Sequence, residues 1–365
     1  MSSSLSLSLI VLSPLILINL HNIISFFQMA MVFSMQGLGN LLASIVMCVL
    51  LFSNMSKDLV WRVGLAFGAV PAAAAFYFRY KAHETEDFRA VQSARVSHVV
   101  NILAALHVYW RPLLGTALSW LLLDITFYGN GLFSGTITNL MGLGASASDA
   151  ALNALYISLL ALPGYALTAA YMDRIGRKNL QVFGFLALFV LFVVLGFALS
   201  PLSSVSALLL ILYGATFLFA NFGPNSTTYV IPGEFFPPQV RATCHGLSAA
   251  SGKVGAGIAA YSFPVLKTTY GISALLIICG AVSLAGALCT MLLVPAYSPE
   301  SLGGEMRKRL DEYRAKLSNM LAARGIGMME IEVRGKEDSE IEGHEFVGNS
   351  GSDVSSENGF HSSVV

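Results

Sequence analysis

Again and again this chain runs for about twenty residues with almost no acid or base, which is the length a helix needs to cross the hydrocarbon layer of a bilayer. Eight such runs can be marked, at 26–52, 61–80, 113–133, 150–172, 180–199, 206–230, 247–266 and 272–295. Backbone polar groups in lipid must be satisfied within the segment, so runs of this kind fold as helices. The expected fold class is therefore all-α, a polytopic membrane helix bundle. Residues 1–25 form an apolar, Ser-containing leader that reads equally as a ninth span or a signal-like segment, although it lacks the basic start of a signal peptide.

Charge supports this. Only 12% of residues are charged, against roughly 25% in soluble domains. The apolar body before Pro299 holds 13 basic and 8 acidic residues, and the part from Pro299 onward holds 8 basic and 13 acidic. The body has neither the basic surface of a nucleic-acid binder nor the paired cysteines of a secreted scaffold, so nucleic acid is not an expected partner and the lipid bilayer is. Nine bases collect in alternate connections (79–111, 174–178 and Arg241), against Lys57, Arg62 and Lys267 in the others. Basic loops stay on the cytoplasmic side. A cytoplasmic C-terminus follows, and a multi-pass protein of the plasma membrane is expected.

One acid and one base fall well inside spans. Asp124 sits within Leu121-Leu-Leu-Asp124-Ile-Thr-Phe127, where a carboxylate costs about 2.5–3.5 kcal/mol even on lenient insertion scales, so such acids usually face a cavity or partner. The plain alternative is a neutral carboxyl hydrogen-bonded between helices. Trp120, Asp124 and Tyr128 are spaced i, i+4, i+8 and share one helix face. Lys253 lies in a small-residue stretch, either inside the span or snorkelling to its end. Gly252-Lys253 lacks the earlier glycine and following hydroxyl of a phosphate loop, so no nucleotide or other cofactor is expected. In the run 219–229, Pro224 should break the helix and free the carbonyls of 220–222. Asn225 and Ser226 are then either ligand donors or helix-to-helix hydrogen-bonding groups. No nucleophile–base pair or metal cluster is present, and His245 has no evident partner, so an enzyme is not expected.

Two loops carry compact charge clusters. One reads Asp173-Arg174-Ile-Gly-Arg177-Lys178, the other Pro232-Gly-Glu234-Phe-Phe-Pro-Pro-Gln-Val-Arg241. The first resembles the signature of the major facilitator superfamily and the second that of its sugar-porter-like branch. Together with Trp120-Leu-Leu-Leu-Asp124-Ile-Thr-Phe-Tyr128, Ala220-Asn-Phe-Gly-Pro-Asn225 and Thr243-Cys-His-Gly-Leu-Ser-Ala-Ala-Ser-Gly-Lys253, they resemble the proton-coupled inorganic phosphate symporters of plants and fungi over about 26–302.

The resemblance implies a secondary transporter that moves phosphate with protons. It implies a phosphate site lined by Gln36, Trp120, Asp124, Tyr128, Asn225 and Lys253, with Asp124 coupling the proton. The two charged loops themselves either pair when the cytoplasmic face is closed, forming a gate from Asp173, Arg174, Arg177, Glu234 and Arg241, or serve only to set topology as basic loops. A porter for sugars or organic ions is the alternative within the superfamily. Twelve spans in two halves are implied, so 26–80 corresponds to the last two helices of the first half, 81–112 to the inter-half loop, 113–297 to the second half of six helices and 298–365 to a largely disordered tail. Four helices are then expected to be missing ahead of 26. A chain of that kind is expected to be inactive alone, or to associate with a full-length relative.

Overall fold

The computed structural model describes residues 31–53, 55–81, 98–140, 146–236 and 238–296, with isolated positions between 308 and 323. The leader and most of the tail lie outside the described residues. The elements are α1 (Met31–Phe52), α2 (Lys57–Lys81), α3 (His98–Leu132), α4 (Ser134–Leu140), α5 (Ala147–Ile175), α6 (Arg177–Ser203), α7 (Ser206–Asn221), α8 (Pro224–Phe235) and α9 (Pro238–Leu293). Among the described residues, seven helices are long and apolar enough to span a membrane, with α7 and α8 counted together. The multi-pass all-helical fold is as the apolar runs indicated.

The seventh of those helices covers 54 residues, which would be about 80 Å if straight, far beyond a bilayer of about 30 Å. It is two spans. Gly271, at φ 81° and ψ 171°, interrupts it, a backbone open chiefly to glycine. Contacts with α3 show the reversal. Thr116 hydrogen-bonds Ser248 at 2.8 Å, and Phe133 stacks on Phe263 with ring centroids 6.1 Å apart, so the first leg runs alongside α3. Ser119 then lies 3.2 Å from Thr290 and Arg111 donates to the Leu292 carbonyl at 2.9 Å, so the second leg has returned to the starting end.

α3 begins earlier than the run at 113 suggested. It is helical from His98, with Tyr109 out of helical geometry ahead of Pro112, so part of the expected inter-half loop continues the span. The break forecast at Pro224 is present: α7 ends at Asn221, and Phe222 (φ −81°, ψ 44°) and Gly223 (φ 173°, ψ −118°) separate it from α8. The main apolar core joins Ile137, Leu188, Phe192, Leu195, Tyr213 and Phe217 with Ala259 and Phe263. At the other end Tyr109, Phe235, Phe236 and Val240 pack with Tyr313. α1 leans on α5 through Gly37, whose missing Cβ would meet the Tyr165 ring at 2.6 Å, and through Ser44, 3.3 Å from Ser158. The buried cysteines Cys48, Cys244 and Cys279, like Cys289, are unpaired and act as small packing residues.

Candidate functional site

The helical spacing of Trp120, Asp124 and Tyr128 places all three on the face of α3 that meets the first leg of α9. Gly252 makes the approach possible, since a Cβ there would lie 2.4 Å from Trp120 Cδ1 and 2.8 Å from Asp124 Oδ2. Lys253 then reaches across. Its Nζ donates to the Tyr128 hydroxyl at 2.8 Å, lies 4.8 Å from that ring's centroid and stands 3.7 Å from Asp124 Oδ2. Asp124 is buried, whereas the Lys253 side chain is 66% exposed. The ammonium is therefore held by a phenol and a carboxylate while still facing open space. Asp124 Oδ2 is buried and, apart from the ion pair with Lys253, has no hydrogen-bond partner.

A second polar group assembles around Tyr165, which the sequence reading passed over. The Tyr165 hydroxyl donates to Gln36 Oε1 at 3.1 Å and accepts from Asn225 Nδ2 at 3.2 Å. Asn225 Nδ2 also donates to Asn221 Oδ1 at 2.8 Å and lies 3.3 Å from Gln36 Oε1. Helices α1, α5, α7 and α8 meet in these four side chains. Ser226 does not join them, because its hydroxyl donates to the Asn221 carbonyl at 2.8 Å, which also accepts from Thr168 at 2.7 Å. That carbonyl, freed by the helix break, serves packing rather than a ligand. The one local signal for Tyr165 is its place directly after the helix-weakening pair Pro163-Gly164.

Aromatic rings connect the two groups. Tyr229, one turn after Asn225, lies edge-on to Trp120 at 6.4 Å and stacks on Phe33 at 4.9 Å, three residues before Gln36. His245, without an evident partner in the sequence, packs edge-on against Trp120 at 5.7 Å and Tyr229 at 5.0 Å. A cavity of about 750 Å³, lined by Tyr128, Tyr165 and Asn221 among others, opens beside both groups on the Phe133 side. All six site residues expected from the sequence thus belong to one of two adjoining clusters.

At the opposite end of the bundle, charges gather. Arg177, at the start of α6, is fully buried, with Nε 2.9 Å from Glu234 Oε2 and Nη1 2.7 Å from Asp173 Oδ1. Two carboxylates from α5 and α8 are thereby pinned to one guanidinium. Of the other expected gate residues, Arg174 is exposed and Arg241 donates from Nε to the Phe236 carbonyl at 3.0 Å. Lys178 caps the second leg of α9 through the Met291 carbonyl at 2.8 Å. Among the described residues no group of three or more His, Cys, Asp or Glu stands together to hold a metal ion.

Comparison with known proteins places these features in context. The sequence profile of the sugar (and other) transporter family matches residues 22–304. A rice (Oryza sativa subsp. japonica) protein carrying the name of an inorganic phosphate transporter is 35% identical over 333 residues, covering 78% of this chain and 65% of the relative. A petunia (Petunia hybrida) protein named low affinity inorganic phosphate transporter 1 is 32% identical over 370 residues, covering 82% and 68%. The chain thus spans about two thirds of the length of these relatives. Among solved structures, the major facilitator superfamily proton:xylose symporter XylE bound to 6-bromo-6-deoxy-D-glucose superposes with a TM-score of 0.61 at 18% identity, covering 77% of this chain and 67% of that one. That likeness concerns the fold.

Proposed function

The chain belongs to the sugar (and other) transporter family of the major facilitator superfamily, a family of transporters and not of enzymes, and from that premise we propose that it binds inorganic phosphate and couples its passage to protons. The observation that carries the reading is the Asp124 carboxyl, buried and with one oxygen free of hydrogen bonds, set 3.7 Å from an ammonium that faces open space. The names of the rice and petunia relatives support the choice of phosphate.

The chemistry follows from charge. With Asp124 ionised, Lys253 has its counter-ion and the site is full without substrate. A phosphate oxyanion drawn to Lys253 then meets a carboxylate, and two like charges about 4 Å apart repel by about 4 kcal/mol at an effective dielectric near 20. Protonation of Asp124 removes that repulsion and adds an O–H donor beside Trp120 Nε1 and the Tyr128 hydroxyl. Lys253 is released to the anion. Proton and phosphate therefore bind with positive coupling, and loss of the proton restores the Lys253–Asp124 pair and expels the anion. The Arg177 cluster closes one end of this path and the cavity opens the other. The excess of bases at the Arg177 end points that end to the cytoplasm, with the C-terminus on the same side, in the plasma membrane.

The test is equilibrium binding of labelled phosphate to the purified chain across pH, with glucose and xylose as competitors. Saturable binding that tightens as pH falls, undisturbed by either sugar, is the expected result. Asp124→Asn, which cannot ionise, should bind with a pH response that is nearly flat. Displacement by the sugars, or an Asn variant that keeps the wild-type pH response, would overturn the reading.

A further inference from the structure

Around Asp124, the neighbouring side chains offer hydrogen-bond donors. Lys253 Nζ is one. The Tyr128 hydroxyl, which accepts from Lys253, keeps its own proton to give, and Trp120 Nε1 can only donate. A pocket made of donors alone holds any tetrahedral oxyanion and cannot tell phosphate from sulfate. Sulfate carries no proton at neutral pH, whereas phosphate always carries at least one P–OH there, so an acceptor in the wall is what separates them.

Beside the Asp124 carboxyl, which is committed to Lys253 or to a proton, Asn225 is the amide that can serve as such an acceptor. Its Nδ2 has two hydrogens. One is taken by Asn221 Oδ1 at 2.8 Å, and the other is shared between the Tyr165 hydroxyl at 3.2 Å and Gln36 Oε1 at 3.3 Å. In a planar carboxamide the oxygen points away from the nitrogen, so occupying Nδ2 turns Oδ1 to the opposite side. Gln36 is oriented in the reverse sense. Its Oε1 accepts from Tyr165 and Asn225, which leaves both N–H groups of its amide outside the network. The tyrosine hydroxyl is the hinge of this arrangement, accepting from one amide and donating to the other. It can do so because Gly37 gives its ring room and because the buried phenol has few other partners to choose from.

We infer that Tyr165 is a positioning residue that sets the polarity of two amides, presenting Asn225 Oδ1 as an acceptor and the Gln36 amide as a donor, so that the site takes oxyanions bearing an OH and rejects those without one. The inference rests on the phosphate reading above and deepens it. A site whose buried acceptor is left without a donor disfavours the wrong ligand strongly, because the unpaired group costs more than a missing contact.

Labelled phosphate bound to the purified full chain at neutral pH, displaced in turn by arsenate and by sulfate, tests it. Arsenate, with the same protonation as phosphate, should compete closely and sulfate at least about a hundredfold less well. Tyr165→Phe keeps the ring against Gly37 and removes the hydroxyl. It should lose at least about tenfold of the preference over sulfate while the arsenate-to-phosphate ratio and the pH response through Asp124 stay as they were. Asn221→Leu, which frees Asn225 Nδ2 from the other side, should move the same ratio in the same direction and stands in if the first variant does not fold. If wild type discriminates and both variants discriminate equally well, or if they weaken all three anions alike, Tyr165 is a packing residue and the inference falls while phosphate binding stands. If wild type binds no phosphate, the phosphate reading fails first and takes this one with it.

Discussion

Among the described residues, Arg177 is the largest side chain that the bundle buries completely, and a guanidinium cannot be neutralised to relieve that burial. It has to be matched by carboxylates, which is why Asp173 and Glu234 converge on it from two other helices. Removing one partner of a buried pair leaves an uncompensated charge and typically costs about 3–5 kcal/mol, whereas replacing the pair with apolar groups is often neutral. Glu234→Gln should therefore lower the thermal midpoint of the detergent-solubilised protein by an amount corresponding to about 3 kcal/mol, and replacing all three charges together, with Arg177→Met, Glu234→Met and Asp173→Leu, should lose less than Glu234→Gln or Arg177→Met alone. Equal or additive losses would show that the ion cluster contributes nothing beyond its separate side chains. At this scale the sequence revealed what was costly. Asp124 stood out because no cheap reason exists for an acid in that run, and Lys253 stood out likewise. Tyr165 was hidden because a tyrosine in an apolar helix has an ordinary packing role, and its task depends on Gln36, 129 positions away. Arg177 was visible as a charge but not as a buried one, since burial is set by α8 closing over it.

Between elements, one of the tight approaches is where α6 passes the break between α7 and α8. A Cβ on Gly184 would lie 2.4 Å from Pro224 Cδ and 2.8 Å from Gly223 Cα, contacts against backbone and a rigid ring that have no easy way to yield. Gly184→Ala should push α8 away from α6, destabilise the bundle by about 1–3 kcal/mol and weaken phosphate binding, because Asn225 sits in the first turn of α8. Gly246→Ala, with nothing within 4 Å of the added methyl, is the matched control and should leave both thermal midpoint and binding unchanged. Retention of wild-type affinity and stability by the Gly184 variant would mean that the break does not hold its position through that contact. The break itself was legible, since Pro224 cannot continue the α7 ladder. What filled the freed carbonyl was not, because Thr168 arrives from a helix more than fifty residues earlier. Length alone also separated the two legs of α9, where a count of continuous helix would have merged them; the hinge at Gly271 follows from the opposite directions in which the two legs run along α3.

Across the whole molecule, packing is uneven. The six spans from α3 to the end of α9 share the main core and the cluster around Tyr109 and Phe236, whereas α2 buries little beyond Val60 and α1 little beyond Gly37, Ser44 and Cys48 among the described residues. Burial of this kind marks the regions that open first. α1 nevertheless brings Gln36 to the site, so the part of the chain that adds least to stability adds a ligand group. That separation makes a distinct forecast for cleavage of the connection between α2 and α3, through a protease site placed within 82–97. The fragment carrying α3 to α9 should stay folded after α1 and α2 are removed, with a thermal midpoint within a few degrees of the intact chain. Phosphate affinity should fall at least about tenfold, since a donor and the acceptor for the Tyr165 hydroxyl leave together. Preference over sulfate should fall with it, because Asn225 Nδ2 and the tyrosine both lose the oxygen that oriented them. A midpoint that collapses on removal would instead make α1 part of the cooperative core. Unchanged affinity would place the anion wholly against α3, α8 and α9, with Gln36 a bystander.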